Sequence, residues 1–264
     1  MTFSTATPSP VSTPARRRPV LRSVQVARIE DPGPRLRRVT LQGDSLQGFG
    51  PARPGAHIKL FFSEMPADWR PEPGQPRPTA RTYTPRSFDA VRNELMVEFV
   101  RHGVGIASEW AEKAQVGDRI TVAGPGGGHD FEPGLRRLVL LADESALPAA
   151  GMILDAAPAD CHVTLVAEVE DGSDEILPSQ RPVDAVHWLH RLPANAAPGS
   201  LLLAAAGSLQ IEDGAQWWLA CEAGAMRAIK AHLTLERGLD RRQLISRGYW
   251  KLGETDHPDH DTGD

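Results

Sequence analysis

The residue pattern changes its period near position 130, and that change constrains the fold more than any other feature of the sequence. Before it, the chain runs in short segments rich in β-branched, aromatic or alternating residues, at 20–28, 35–42, 57–62, 81–86, 94–100 and 119–123. Gly and Pro punctuate the gaps, and short strands at that spacing build a small antiparallel barrel or sandwich. One helix, 106–114, interrupts this half, and the barrel is expected to end at the glycine-rich stretch 124–128. Beyond it, 138–142 is a continuous apolar strand and 147–155 reads as a helix. Further strands are expected at 163–168, 185–189, 201–206 and 216–221, then a helix at 224–238 closed by Gly238. Strands alternating with helices predict a parallel sheet. The expected fold class is β + α/β: an antiparallel β-barrel domain over 20–134, then an open parallel α/β sheet domain over 135–253.

The flanks carry less. Residues 1–19 are rich in Ser, Thr and Pro and contain Arg16-Arg17-Arg18 without an apolar h-region, so disorder is expected there rather than a secretory signal. Prolines at 66, 71, 73, 76 and 78 make 66–78 a surface loop. His257, Asp259, His260 and Asp261 are metal-ligand types, but the polar tail 254–264 has no apolar residue to fix them and is expected to be disordered.

Composition narrows the partners. A net charge of −5 offers no global field for nucleic acid or an anionic membrane. No apolar run approaches the roughly 20 residues that a membrane-spanning helix needs. Cys161 and Cys221 lie far apart and form neither a disulfide framework nor a CxxC metal site. A reducing, cytoplasmic location and a monomer are the simplest expectations.

Two segments carry chemistry. In Arg81-Thr82-Tyr83-Thr84-Pro85-Arg86, residues 81 and 83 share one side of a strand. Arg81 suits a phosphate, Tyr83 a flat ring or its side chain, and Thr84 the polar atoms of a ring edge. The other segment, 100–110, reads as strand, glycine turn and helix start, with His102, Gly103, Gly105, Ala107 and Ser108 placed for a phosphate group. Either alone has an ordinary structural explanation; twenty residues apart, together they suggest a flavin site.

RTYTPR and HGVGIASEWA together resemble the flavin-binding module of the siderophore-interacting protein family, the intracellular ferric-siderophore reductases. Three later segments match in order: LADESALPA at 141–149, Trp188-Leu189-His190-Arg191, and GYWKLG at 248–253. The resemblance implies FAD contacts at Arg81, Tyr83 and Thr84, phosphate contacts around His102, Gly103, Gly105, Ala107 and Ser108, and a flavin border at Asp143, Ser145 and Ala146. It implies that Trp250 closes over part of the cofactor. Its substrate is a ferric siderophore, drawn by basic residues, here Lys59, Lys251 and, more weakly, Arg247. Lys251 stands where an arginine is often seen, which keeps charge but loses bidentate hydrogen bonding.

The electron donor implied is NAD(P)H or a ferredoxin. LACEAGAM at 219–226 departs from the C-G-P-x-x-M region of nicotinamide-dependent relatives, and no G-x-G-x-x-G fingerprint is present. The intact strand-to-helix element favours NAD(P)H, and Cys221 reads as a buried structural cysteine. No catalytic acid, base or nucleophile and no resident metal are expected, since the cofactor carries the chemistry. A general flavin reductase with another acceptor and a non-catalytic siderophore-binding module stay open as alternatives.

Overall fold

The structure, a computed structural model, describes residues 20–70, 74, 78–255, 257, 261 and 262. The segment 1–19, parts of the Pro-rich loop and most of the last nine residues lie outside them.

Strands β1 (Leu21–Gly33), β2 (Leu36–Gln42), β3 (Ala56–Phe61), β4 (Ala80–Tyr83), β5 (Ser87–Asp89), β6 (Glu94–Val100) and β7 (Arg119–Gly127) form one antiparallel sheet in the order β4-β3-β7-β1-β2-β6-β5. Alternation decides what faces in: Ile58, Leu60, Val97, Phe99, Ile120 and Val122 are fully buried on the concave side. The expected strand 81–86 stops at Tyr83, because Pro85 has no N–H for a ladder. Residues 84–86 instead carry the chain from one sheet edge to the other, where the Arg86 N–H donates to the Met96 carbonyl at 2.9 Å. The sheet is therefore barrel-like, joined at its edges by chain rather than by a continuous ladder. Helix α1 (Ile106–Lys113) lies between β6 and β7.

The second half is a parallel sheet of β8 (Arg137–Asp143), β9 (His162–Val169), β10 (Ala185–His190), β11 (Gln216–Glu222) and β12 (Leu244–Trp250), in the order β10-β9-β8-β11-β12. Both faces are covered, as a parallel sheet requires. Helix α2 (Leu147–Ala156) packs with Leu138, Leu140 and Trp218 on one face. A short helix α3 (Arg191–Ala194) follows β10. On the other face, α4 (Ser200–Ser208) and α5 (Ala223–Ala231) cover Leu141, Trp217 and Leu219. From β8 the chain proceeds outward through β9 and β10, then returns to the other side of β8 as β11. The strand order thus reverses between β8 and β11, and their carboxyl ends open a crevice there.

Two further expectations are corrected. The segment 201–206, read as a strand, is the core of α4. Leu-Leu-Leu-Ala-Ala-Ala has high helix propensity and no β-branched residue, and a short apolar run does not reveal its period. The helix expected at 224–238 is regular only to Ala231; a wider turn, His232–Glu236, completes it before Gly238. Among the described residues of the tail, Asp261 and Thr262 lie against the parallel sheet. β12 is an edge strand, and its Gly248 N–H donates to the Asp261 carbonyl at 2.9 Å. The Asp261 carboxylate meets Arg227 at 2.8 Å and His257 at 2.9 Å, and the Thr262 carbonyl accepts from Lys230 and Ser246.

Candidate functional site at the junction of the two sheets

The β3–β4 register sets the first wall. It pairs Ile58 with Tyr83 and Leu60 with Arg81, so Arg81 and Tyr83 share the side of the buried aliphatics. The Tyr83 ring lies 4.5 Å from Phe99 between centroids, and burial pushes its phenol up despite the neighbouring Arg81 charge. Thr84, buried, sits beside the Tyr249 hydroxyl on β12, which brings the segment after β4 against the parallel sheet. Arg86 belongs to that contact as well: its guanidinium reaches Asp155 on α2 at 2.7 Å and the Pro178 carbonyl.

The loop between β6 and α1 forms the second wall. Gly103 and Gly105 have φ of 76° and 86°, the left-handed region, and open space lies where a Cβ would be. Among the described residues no side chain caps α1, so the N–H groups of its first turn remain for another acceptor. The Ser108 hydroxyl, buried, turns back to accept from the N–H groups of Gly103 at 3.2 Å and His102 at 3.4 Å. It therefore shapes the turn, and Ala107 packs beneath it as a buried residue.

The third wall is the crevice. Asp143 ends β8, and its Oδ1 accepts from the Ser145 N–H at 3.0 Å and hydroxyl at 2.5 Å. Its Oδ2 accepts from the Glu222 N–H at 2.9 Å and the Trp250 indole N–H at 2.7 Å. Burial pushes the Asp143 carboxyl up to about 7; Glu144 adds to this, while the Ser145 and Trp250 hydrogen bonds and Arg191 oppose it. Ala146 is fully buried at the start of α2. Glu144 is itself clamped by Arg191 through two hydrogen bonds, at 2.5 and 2.7 Å. A narrow gap between the two sheets is lined by Arg35, Glu98 and Val100 on one side and Glu144 and Leu147 on the other.

Asp143, Ser145 and Trp250 are thus brought together, and Thr84 lies beside Tyr249, the residue before Trp250. The three cations have separate partners. Lys59 donates to Thr82 at 2.6 Å, and the register puts that pair on the opposite face from Arg81 and Tyr83. Arg247 donates to the Ser246 carbonyl and lies near His129, whereas Lys251 pairs with Glu254 at the exposed end of β12. Cys221 is fully buried and burial pushes its thiol up, as suits a packing residue rather than a nucleophile. Sequence reading did not single out Tyr249, Glu222 or Arg191 for these contacts; their only signal was position inside matched segments. Among the described residues no group of His, Cys, Asp and Glu is arranged to hold a metal, and no helix is long and apolar enough to cross a membrane.

The residues present fit an FAD: an uncapped helix start beside two open glycines for its pyrophosphate, Arg81 next to Tyr83, and a polar crevice at the strand ends. A barrel-like antiparallel sheet joined to a parallel α/β sheet through such a crevice defines the ferredoxin-reductase-like class of two-domain proteins. Residues 25–129 match the model of the siderophore-interacting FAD-binding domain, and residues 135–253 match that of siderophore-interacting protein. The chain belongs to the siderophore-interacting protein family. It is 32% identical to ferric vibriobactin reductase ViuB of Vibrio cholerae over 86% of this chain and 88% of that protein. NADPH-dependent ferric-chelate reductase of Escherichia coli is 37% identical over 48% of this chain and 54% of its own length. Among solved structures, a siderophore utilization protein from T. fusca superposes with a TM-score of 0.80 at 35% identity, covering 91% of this chain and 96% of that one.

Proposed function

We propose that this chain is an FAD-dependent ferric-siderophore reductase, an enzyme of iron acquisition that converts bound Fe(III) to Fe(II). The observation that carries the reading is the junction itself: the segment after β4 reaches α2 through Arg86, and Asp143 and Trp250 meet at the neighbouring strand ends. The family membership and the names of the reductase relatives support the same activity.

When bound, FAD supplies the redox chemistry, taking electrons from the donor and giving them to the ferric centre. The protein's own part is binding and orientation. Arg81 and the first-turn N–H groups of α1 neutralise the pyrophosphate; Gly103 and Gly105 let it approach the backbone. Tyr83 and Thr84 would hold the ring and its polar edge, and Asp143, Ser145, Ala146 and Trp250 would border it. Lys59, Lys251 and Arg247 attract an anionic ferric siderophore. Hard oxygen donors hold Fe(II) less strongly than Fe(III), so reduction loosens the chelate. NAD(P)H is the preferred donor in this reading, supported by the intact β11–α5 element and by the NADPH-dependent relative. A ferredoxin is the competing donor, and the protein is taken as a monomer acting in the cytoplasm.

An anaerobic assay tests this directly. Protein reconstituted with FAD is expected to bleach with NADPH or NADH, and a ferric siderophore should then restore the colour while a ferrous chelator traps Fe(II). Protein that takes up no flavin, or that yields no Fe(II) with any nicotinamide or with reduced ferredoxin, overturns the reading.

A further inference from the structure

Asp143 accepts four hydrogen bonds while only 2% exposed, and all four partners are donors. Two come from Ser145, just past its own strand. The Glu222 N–H comes from the neighbouring strand, and the Trp250 indole from the edge strand, 107 residues away in sequence. A carboxylate has acceptor positions for all four; a carboxamide offers one oxygen and turns two donors of its own toward N–H groups. Burying a carboxylate is costly, and packing alone does not need one at this point.

We infer that Asp143 is a positioning residue: its carboxylate fixes the Trp250 indole across the β8–β11 crevice and so determines how firmly the site holds its flavin. The inference rests on the flavin reading above. Without the Oδ2 acceptor, the half-buried indole at the end of an edge strand is free to rotate away from the crevice. The surrounding charges are already committed, since Arg191 is clamped to Glu144 and also meets Glu168, which leaves no other cation to take over Asp143 among its described neighbours. The effect therefore runs through the indole N–H.

A double-mutant cycle on the full chain tests it, with FAD affinity as the readout. Asp143→Asn and Trp250→Phe are each expected to weaken FAD binding about tenfold, the scale of one charge-assisted hydrogen bond. The double variant should bind no more weakly than Trp250→Phe alone, and the visible bands of the bound flavin should shift alike in both single variants. Additive losses, or unchanged affinity in Trp250→Phe, overturn the inference. Trp250→Phe keeps an aromatic side chain and leaves Asp143 in place, so it decides the matter even if Asp143→Asn does not fold. Wild-type protein that binds no FAD sinks the flavin reading and the inference together; flavin-binding wild type with silent or additive variants sinks the inference alone.

Discussion

His129 sits just past β7, its ring edge-on to Phe131 at 6.0 Å, with Nε2 buried and without a hydrogen-bond partner among the described residues. Burial, reinforced by the charges of Arg247 and Arg53 and opposed by Asp130, pushes its pKa down to about 4 from an ordinary 6.5. The folded chain thus binds that proton less readily than the unfolded one. Its contribution to stability is present above pH 6.5 and is lost as pH falls through 4. His129→Asn removes this term. The melting temperature of the variant, relative to wild type, should therefore climb as pH is lowered from 6.5 to 4. A constant difference across that range would show that His129 binds its proton equally well in the folded and unfolded chain. Such effects are invisible in the sequence, because neither residue type nor spacing reveals burial or which arginines lie near.

At the scale of elements, Glu168 decides a helix that local sequence leaves ambiguous. Fully buried at the end of β9, it accepts from the N–H groups of Gly199 at 2.6 Å, Leu202 at 3.0 Å and Leu201 at 3.1 Å, satisfying the start of α4. Glu168→Gln turns an amide N–H₂ toward one or more of these donors and should cost about 1–3 kcal/mol, the scale of a buried unsatisfied polar group. Urea denaturation checks it: the midpoint should fall with an unchanged slope, and an unchanged midpoint would refute the capping role. The cap comes from a residue more than thirty positions earlier, which is why 201–206 read as a strand. Where local pattern suffices, the reading held. The alternating Ile58 and Leu60 of β3 and the unbroken 138–142 run of β8 lie in strands as expected. β12 was legible only as the motif GYWKLG, because Ser246, Arg247 and Gly248 break any apolar period in an edge strand. The candidate site was legible to the same degree: its segments were visible, but the bond from Trp250 to Asp143 that joins two of them spans too much chain to be read.

The molecule as a whole depends on how its two sheets are held, since the candidate site lies between them. The buried apolar clusters are separate, one inside the barrel-like sheet and two on the faces of the parallel sheet. Polar clasps carry much of the connection. Arg35, before β2, meets Asp174 at 2.6 Å, Glu170 at 3.0 Å and Asp171 at 3.1 Å in the stretch after β9. Arg86 reaches Asp155 and the Pro178 carbonyl, and it does so over Gly151 of α2, where a Cβ would stand 2.2 Å from that carbonyl and 2.8 Å from Arg86 Nε. Polar interfaces of this kind allow relative domain motion when weakened, whereas each domain keeps its own core. Arg35→Ala combined with Arg86→Ala should therefore split one calorimetric unfolding transition into two, with far-UV circular dichroism at low temperature unchanged. Gly151→Ala, which wedges the same contact apart rather than removing charge, should destabilise by about 1–3 kcal/mol. Because the proposed flavin site draws residues from both sheets, all three changes should also weaken FAD binding without altering any residue proposed to touch it. A double variant that melts in a single transition at the wild-type temperature would mean that the clasps are ornamental, and that apolar contact such as Ile176 against Gly33 holds the junction instead.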